Sequence, residues 1–280
     1  MAARTTKLFI GLAVVTAVVL GGAYGLHALW KTAKSHLTVS NCTVGSYDLG
    51  TDQAAVASTM VGAVTKYRVN LPERAAVLVL AAGLQESKLT NLGPNEGDRD
   101  SVGVLQQRPS QGWGGGDPKK LTDVGEATKE FLDALVKVPG WQRLPLSKAV
   151  QAVQISADGS LYGQHEDEAR ALADALQGRT AAGITCEFPK PTQVASAAQV
   201  AAQARTQLGI ETPAAAGVRT VRAAGAHWQT AAWFVANADR LGIEQVAYAG
   251  QQWTRSDGWK KSTTASSARV VATLYDLTKK

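Results

Sequence analysis

Apolar residues recur along this chain in three patterns, and each predicts a different kind of element. Leu8–Trp30 is a run of 23 residues without Asp, Glu, Lys or Arg. As a helix rising 1.5 Å per residue, it is long enough to cross roughly 30 Å of hydrocarbon. From Asp52 to about Leu176 the apolar positions follow helical spacing. They predict helices at Arg74–Ser87, Thr128–Val136, Leu146–Val153 and Asp167–Leu176. Asn70-Leu71-Pro72-Glu73 has the form of a capping box before the first of these. Asn91–Asp100 and Ser110–Pro118, rich in Gly, Pro, Asn and Asp, read as loops. After Pro189-Lys190-Pro191 comes an Ala/Gln-rich helix at Ser196–Leu208, with a second break at Pro213–Gly217. Beyond it, strands are predicted at Val218–Ala223, Gln245–Ala249 and Arg269–Tyr275, with a helix at His227–Leu241 and a turn at Asp257-Gly258.

The division that follows is a membrane anchor with its flanks at 1–36, a first domain at 37–188, an Ala/Pro-rich linker with a helical stretch at 189–213, and a small α/β domain at 214–280. Charge supports the first boundary. Residues 1–36 carry Arg4, Lys7, Lys31 and Lys34 and no acid, flanking the apolar run on both sides, and Trp30 suits a membrane interface. A cleaved signal peptide is the other reading of the same run; both export the rest of the chain. The expected arrangement is a single-pass membrane protein with a cytoplasmic N-terminus and an extracytoplasmic bulk, touching the membrane through residues 8–30.

Two cysteines exclude a disulfide-dense miniprotein, and four scattered histidines without HExxH spacing speak against zinc hydrolysis, so no metal or cofactor is expected. Cys42 and Cys186 stand at the two ends of the first domain. An exported location makes a disulfide between them the favoured reading, with two unrelated buried thiols as the other. Residues 191–280 hold 10 basic and 5 acidic side chains. A basic surface suits nucleic acid or an anionic wall, and the exported location argues against nucleic acid.

The chemistry gathers around Glu86. Leu78, Val79 and Ala82 share its helix face, so the carboxyl closes an apolar stripe. Desolvation there favours the protonated form, which glycosidic cleavage needs in order to protonate the leaving oxygen. A solvated glutamate at a helix end is the plainer alternative.

Gln85-Glu86-Ser87-Lys88-Leu89-Thr90-Asn91, followed by Asp100-Ser101-Val102-Gly103-Val104-Leu105-Gln106-Gln107, resembles the Glu-Ser and Gly-Leu-Met-Gln motifs of lytic transglycosylases and goose-type lysozymes. The run Gly97–Gly114 resembles the actinobacterial membrane-anchored branch of that lysozyme-like superfamily. The resemblance spans roughly residues 50–180 and implies a mainly α lysozyme-like domain following the transmembrane helix. It implies a catalytic acid/base at Glu86, an orienting Ser87, and a sugar groove lined by Gly103, Gln106 and Gln107. The family's third motif, a Tyr-Asn pair, is replaced by Ala152-Val153-Gln154-Ile155-Ser156, with Gln154 as a polar substitute and Tyr162 downstream. Trp113 is a candidate for stacking on a sugar ring.

Two chemistries stay open. A transglycosylase needs one carboxylate and closes a 1,6-anhydro ring. An inverting hydrolase needs a second, for which Asp98 and Asp100 are candidates. The expected partner is the peptidoglycan glycan strand, cut between MurNAc and GlcNAc. A non-enzymatic alternative is a wall-binding or scaffold component alongside proteins of an envelope-spanning transfer or secretion machine. In the C-terminal part, Trp253 and Trp259 around Arg255, Lys260 and Lys261 read as a patch for an anionic glycan or peptide.

Overall fold

A computed structural model describes residues 40–213, 217–223 and 227–278. Its centre is a helix that is apolar on every side. α1 (Thr51–Thr65) and α2 (Arg74–Ser87) come first, and every residue of α2 from Ala75 to Leu84 is buried. A helix of this kind is stable only when wrapped by others. α1, α4 (Val124–Leu135), α5 (Leu146–Gln154) and α6 (Glu166–Leu176) all pack against it; the short α3 (Pro118–Thr122) leads into α4. Truncating a core side chain such as Leu80, 0% exposed, to alanine costs about 2–5 kcal/mol. α2 does not begin with the expected capping box. Glu73 is its N-cap but makes no side-chain capping bond, and the carbonyls of Pro72 and Glu73 accept from the first helical amides instead.

Two antiparallel sheets flank the helices. In the first, β1 (Asn41–Val44) lies between β2 (Tyr47–Leu49) and β3 (Thr185–Glu187), in the order β2-β1-β3. Cys42 is directly opposite Cys186 in the register, and the two form a disulfide across the sheet. The second sheet has the order β4-β8-β5-β6-β7, from β4 (Thr220–Ala223), β5 (Ile243–Tyr248), β6 (Gln251–Thr254), β7 (Gly258–Lys261) and β8 (Val270–Leu274). α7 (Ala197–Leu208) and α8 (Trp228–Ala236) pack on it, with the short α9 (Ala238–Leu241) beside them.

The architecture expected from sequence after the N-terminal segment, a mainly α domain followed by a separate small α/β domain, is corrected by these findings. The described residues form one compact unit of mixed helices and two antiparallel sheets. The first sheet ties the region before α1 to the region after α6, and the second has no parallel strand pair. Among the described residues no helix is long and apolar enough to cross a membrane. The apolar run at 8–30 lies outside the described residues.

Close polar and backbone contacts join the two halves. Asn237, 0% exposed, donates to Ser58 Oγ at 3.0 Å. The Trp233 indole donates to Gln207 Oε1 at 2.7 Å, and Thr59 donates to the same oxygen. Gly62 lets α1 approach α7: a Cβ there would lie 2.3 Å from the Gln207 carbonyl oxygen. α7 itself, within the stretch expected to link two domains, buries Val200, Ala204 and Leu208 in the common core.

Candidate active site

Glu86 occupies the last turn of α2, half-buried, where the helix leaves the core. The helix ends because Lys88 turns left-handed at φ 53°, its amide bonded back to the α2 carbonyls. The adjoining Ser87 donates to the Val104 carbonyl at 2.8 Å and so clasps the second motif's loop to the acid's helix. That loop is shaped by paired backbones: Leu92 bridges Gly103, and Val102 bridges Gln107. Gly103 has φ +77°, and a Cβ on it would lie 2.0 Å from the Leu121 carbonyl oxygen. Its need for glycine is therefore one of packing as well as conformation.

Tyr162 and Gln154 complete the surroundings of the acid. Tyr162, 0% exposed, sits on the 3-10 segment Gly159–His165 and donates its hydroxyl to Glu86 Oε1 at 2.5 Å. Gln154, the last residue of α5, donates to the Leu105 carbonyl at 2.8 Å, and its amide favours the charged form of the nearby Glu86 carboxyl. That amide fastens the end of α5 to the motif loop. Burial is the largest influence on Glu86 and pushes its carboxyl above the usual glutamate range; Tyr162 and Gln154 partly oppose it by bonding the charged form. Burial, and then the carboxylate beside it, push the Tyr162 phenol upward, so it stays a donor at neutral pH.

The other expected residues fall into two groups. Gln106, at φ 47°, turns its amide back onto the Gly103 carbonyl at 2.8 Å. Gln107 is 2% exposed and donates to the Ala127 carbonyl at 3.3 Å, so both glutamines brace the loop through these bonds. Trp113 is half-buried against the core beside left-handed Gly112, Gly114, Gly115 and Gly116. Asp100 accepts from the Ser110 amide at 2.8 Å and from Arg108 at 2.7 Å. The Ser110 bonds, then Arg108, hold its carboxyl well below the usual range. Asp98 is 91% exposed beside Arg99.

Some of the site escaped the sequence reading. Gln151 and Ser156 clamp each other reciprocally, with Gln151 donating to the Ser156 carbonyl at 2.9 Å and Ser156 Oγ to Gln151 Oε1 at 2.8 Å. His165 is half-buried, with Nε2 at 3.1 Å from Gln85 Oε1. The only sequence signal for either was adjacency to Gln154 and Tyr162. The aromatic-basic patch is corrected. Trp253 is 0% and Arg255 5% exposed. The indole bonds the Cys186 carbonyl, and the guanidinium bonds the Pro189, Ala238 and Ile243 carbonyls and Asp239. Both hold the second sheet against the rest of the molecule.

Among the described residues no group of three or more His, Cys, Asp or Glu is arranged to hold a metal ion. No protein-family model matches the chain, and no curated protein matches it.

Proposed function

We propose that this protein is an exported peptidoglycan lytic transglycosylase that cleaves the bond between MurNAc and GlcNAc, with Glu86 as its one acid/base. The observation that carries the reading is a half-buried glutamate, raised by desolvation and fixed by a buried tyrosine, at the junction of the two motif segments. An extracytoplasmic location agrees with the Cys42–Cys186 disulfide, since such bonds persist in oxidising compartments.

Because Tyr162 donates to Oε1, the carboxylic proton belongs on Oε2. That oxygen protonates the glycosidic oxygen as the C1–O bond breaks. The carboxylate left behind takes the proton of the muramyl 6-hydroxyl as its oxygen bonds to C1. The 1,6-anhydro ring closes, and Glu86 is again protonated. One carboxylate suffices. The commitment of Asp100 to Arg108 and Ser110, and the exposure of Asp98, favour this route over a water-activating second carboxylate.

The test is release of soluble fragments from purified peptidoglycan by the full chain and by Glu86→Gln. Release by the wild type alone supports the reading. Wall binding without release by either protein supports a binding or scaffold role instead.

A further inference from the structure

We infer that Ile155 is a substrate-contacting residue at the rim of this site, its side chain packing against the apolar C–H face of a glycan sugar. The inference rests on the glycan reading above. Ile155 follows Gln154 at the end of α5 in the left-handed conformation, φ 52° and ψ 43°. Glycine or asparagine is the usual residue at such a helix end, and a β-branched side chain there is strained. Strain of this kind is ordinarily offset by burial, but Ile155 is 81% exposed.

Its backbone is held on both sides. Its amide donates to the Gln151 carbonyl at 2.9 Å. Gln154 before it bonds the motif loop, and Ser156 after it is clamped to Gln151. The conformation is therefore imposed, and solvent surrounds most of the side chain that it projects. Among the described residues five large apolar side chains are exposed, and two of them, Ile155 and Leu161, lie in sequence between Gln154 and Tyr162. Strained backbone and unburied apolar surface coincide beside the acid, where a bound sugar ring would cover that surface.

Ile155→Asn and Ile155→Ala separate the contact from the strain. Asparagine accepts left-handed backbone and alanine does not. With soluble, peptide-free glycan strands and the full chain, both variants raise KM roughly fivefold or more, while kcat falls by less than about twofold. The unfolding midpoint rises in Ile155→Asn and does not rise in Ile155→Ala. Unchanged KM in both variants, with wild-type protein that cleaves the strands, overturns the inference and leaves the glycan reading standing. Wild-type protein that neither binds nor cleaves them overturns both.

Discussion

Replacing Tyr162 by phenylalanine removes one hydroxyl from a fully buried ring and leaves the rest of its packing in place. The hydroxyl donates to Glu86 Oε1 at 2.5 Å and favours the charged carboxylate. A hydrogen bond to a charged acceptor contributes about 1.5–3 kcal/mol. With Glu86 partly open to solvent the lower end applies. Burial already raises the folded-state carboxyl above its unfolded value, and the variant, lacking the Tyr162 donor, raises it further. Below the unfolded value Glu86 is protonated in both states, and the change costs a neutral hydrogen bond only. As pH rises through the raised folded value, the variant carries the added penalty of ionising a carboxylate that has lost its donor. The stability gap between wild type and Tyr162→Phe therefore widens with pH. Urea unfolding at about pH 4 and about pH 8 measures it, with a predicted widening of about 1 kcal/mol. The alkaline limb of glycan cleavage shifts upward in parallel. A gap that is the same at both pH values refutes the assigned hydrogen bond.

Other substitutions probe the remaining parts of the account. Asp98→Asn retains wild-type cleavage, because one carboxylate is enough; a loss as deep as that of Glu86→Gln, read by fragment release, would restore the hydrolase mechanism. Reduction of Cys42–Cys186, which closes a loop of 144 residues in sequence separation, lowers stability by up to about 5 kcal/mol in the chain-entropy model, measured by denaturant unfolding with and without reductant. Gly103→Ala introduces a Cβ against the Leu121 carbonyl at a left-handed position and is expected to cost at least about 2 kcal/mol, seen as a lower unfolding midpoint with lost cleavage. Arg255→Ala removes four structural partners and lowers stability; unchanged stability with weakened wall binding would revive the surface-patch reading.

The parts of this fold that were legible in sequence are those decided by short-range patterning. The bounds of α2 at Arg74–Ser87 follow from an unbroken apolar stretch, and α7 from its Ala/Gln-rich composition; the structure adds Ser196 as its N-cap, accepting from the Gln199 amide. The first sheet was not legible. Its strands are three or four residues long, too short to show alternation, and their pairing joins Cys42 to Cys186 across the whole helical region. β6 and β7 were missed for a related reason. Trp253 and Arg255 beside lysines resemble surface chemistry, yet Trp253 is the buried position of its strand and Arg255 is enclosed by backbone carbonyls from three segments. Within the site, Glu86, Ser87 and Gly103 were visible from their motifs. That Tyr162 reaches back to Glu86 from 76 positions downstream was not, because a tertiary approach decides it.

The central claim is that Glu86 alone cleaves a glycan by internal ring closure. Mass spectrometry of fragments released from peptidoglycan by the full chain, beside Glu86→Gln, tests it most directly. The wild type releases saccharide ends one water lighter than hydrolysis products, and the variant releases no fragments. Full-mass reducing ends, or fragments from Glu86→Gln as well, would contradict it.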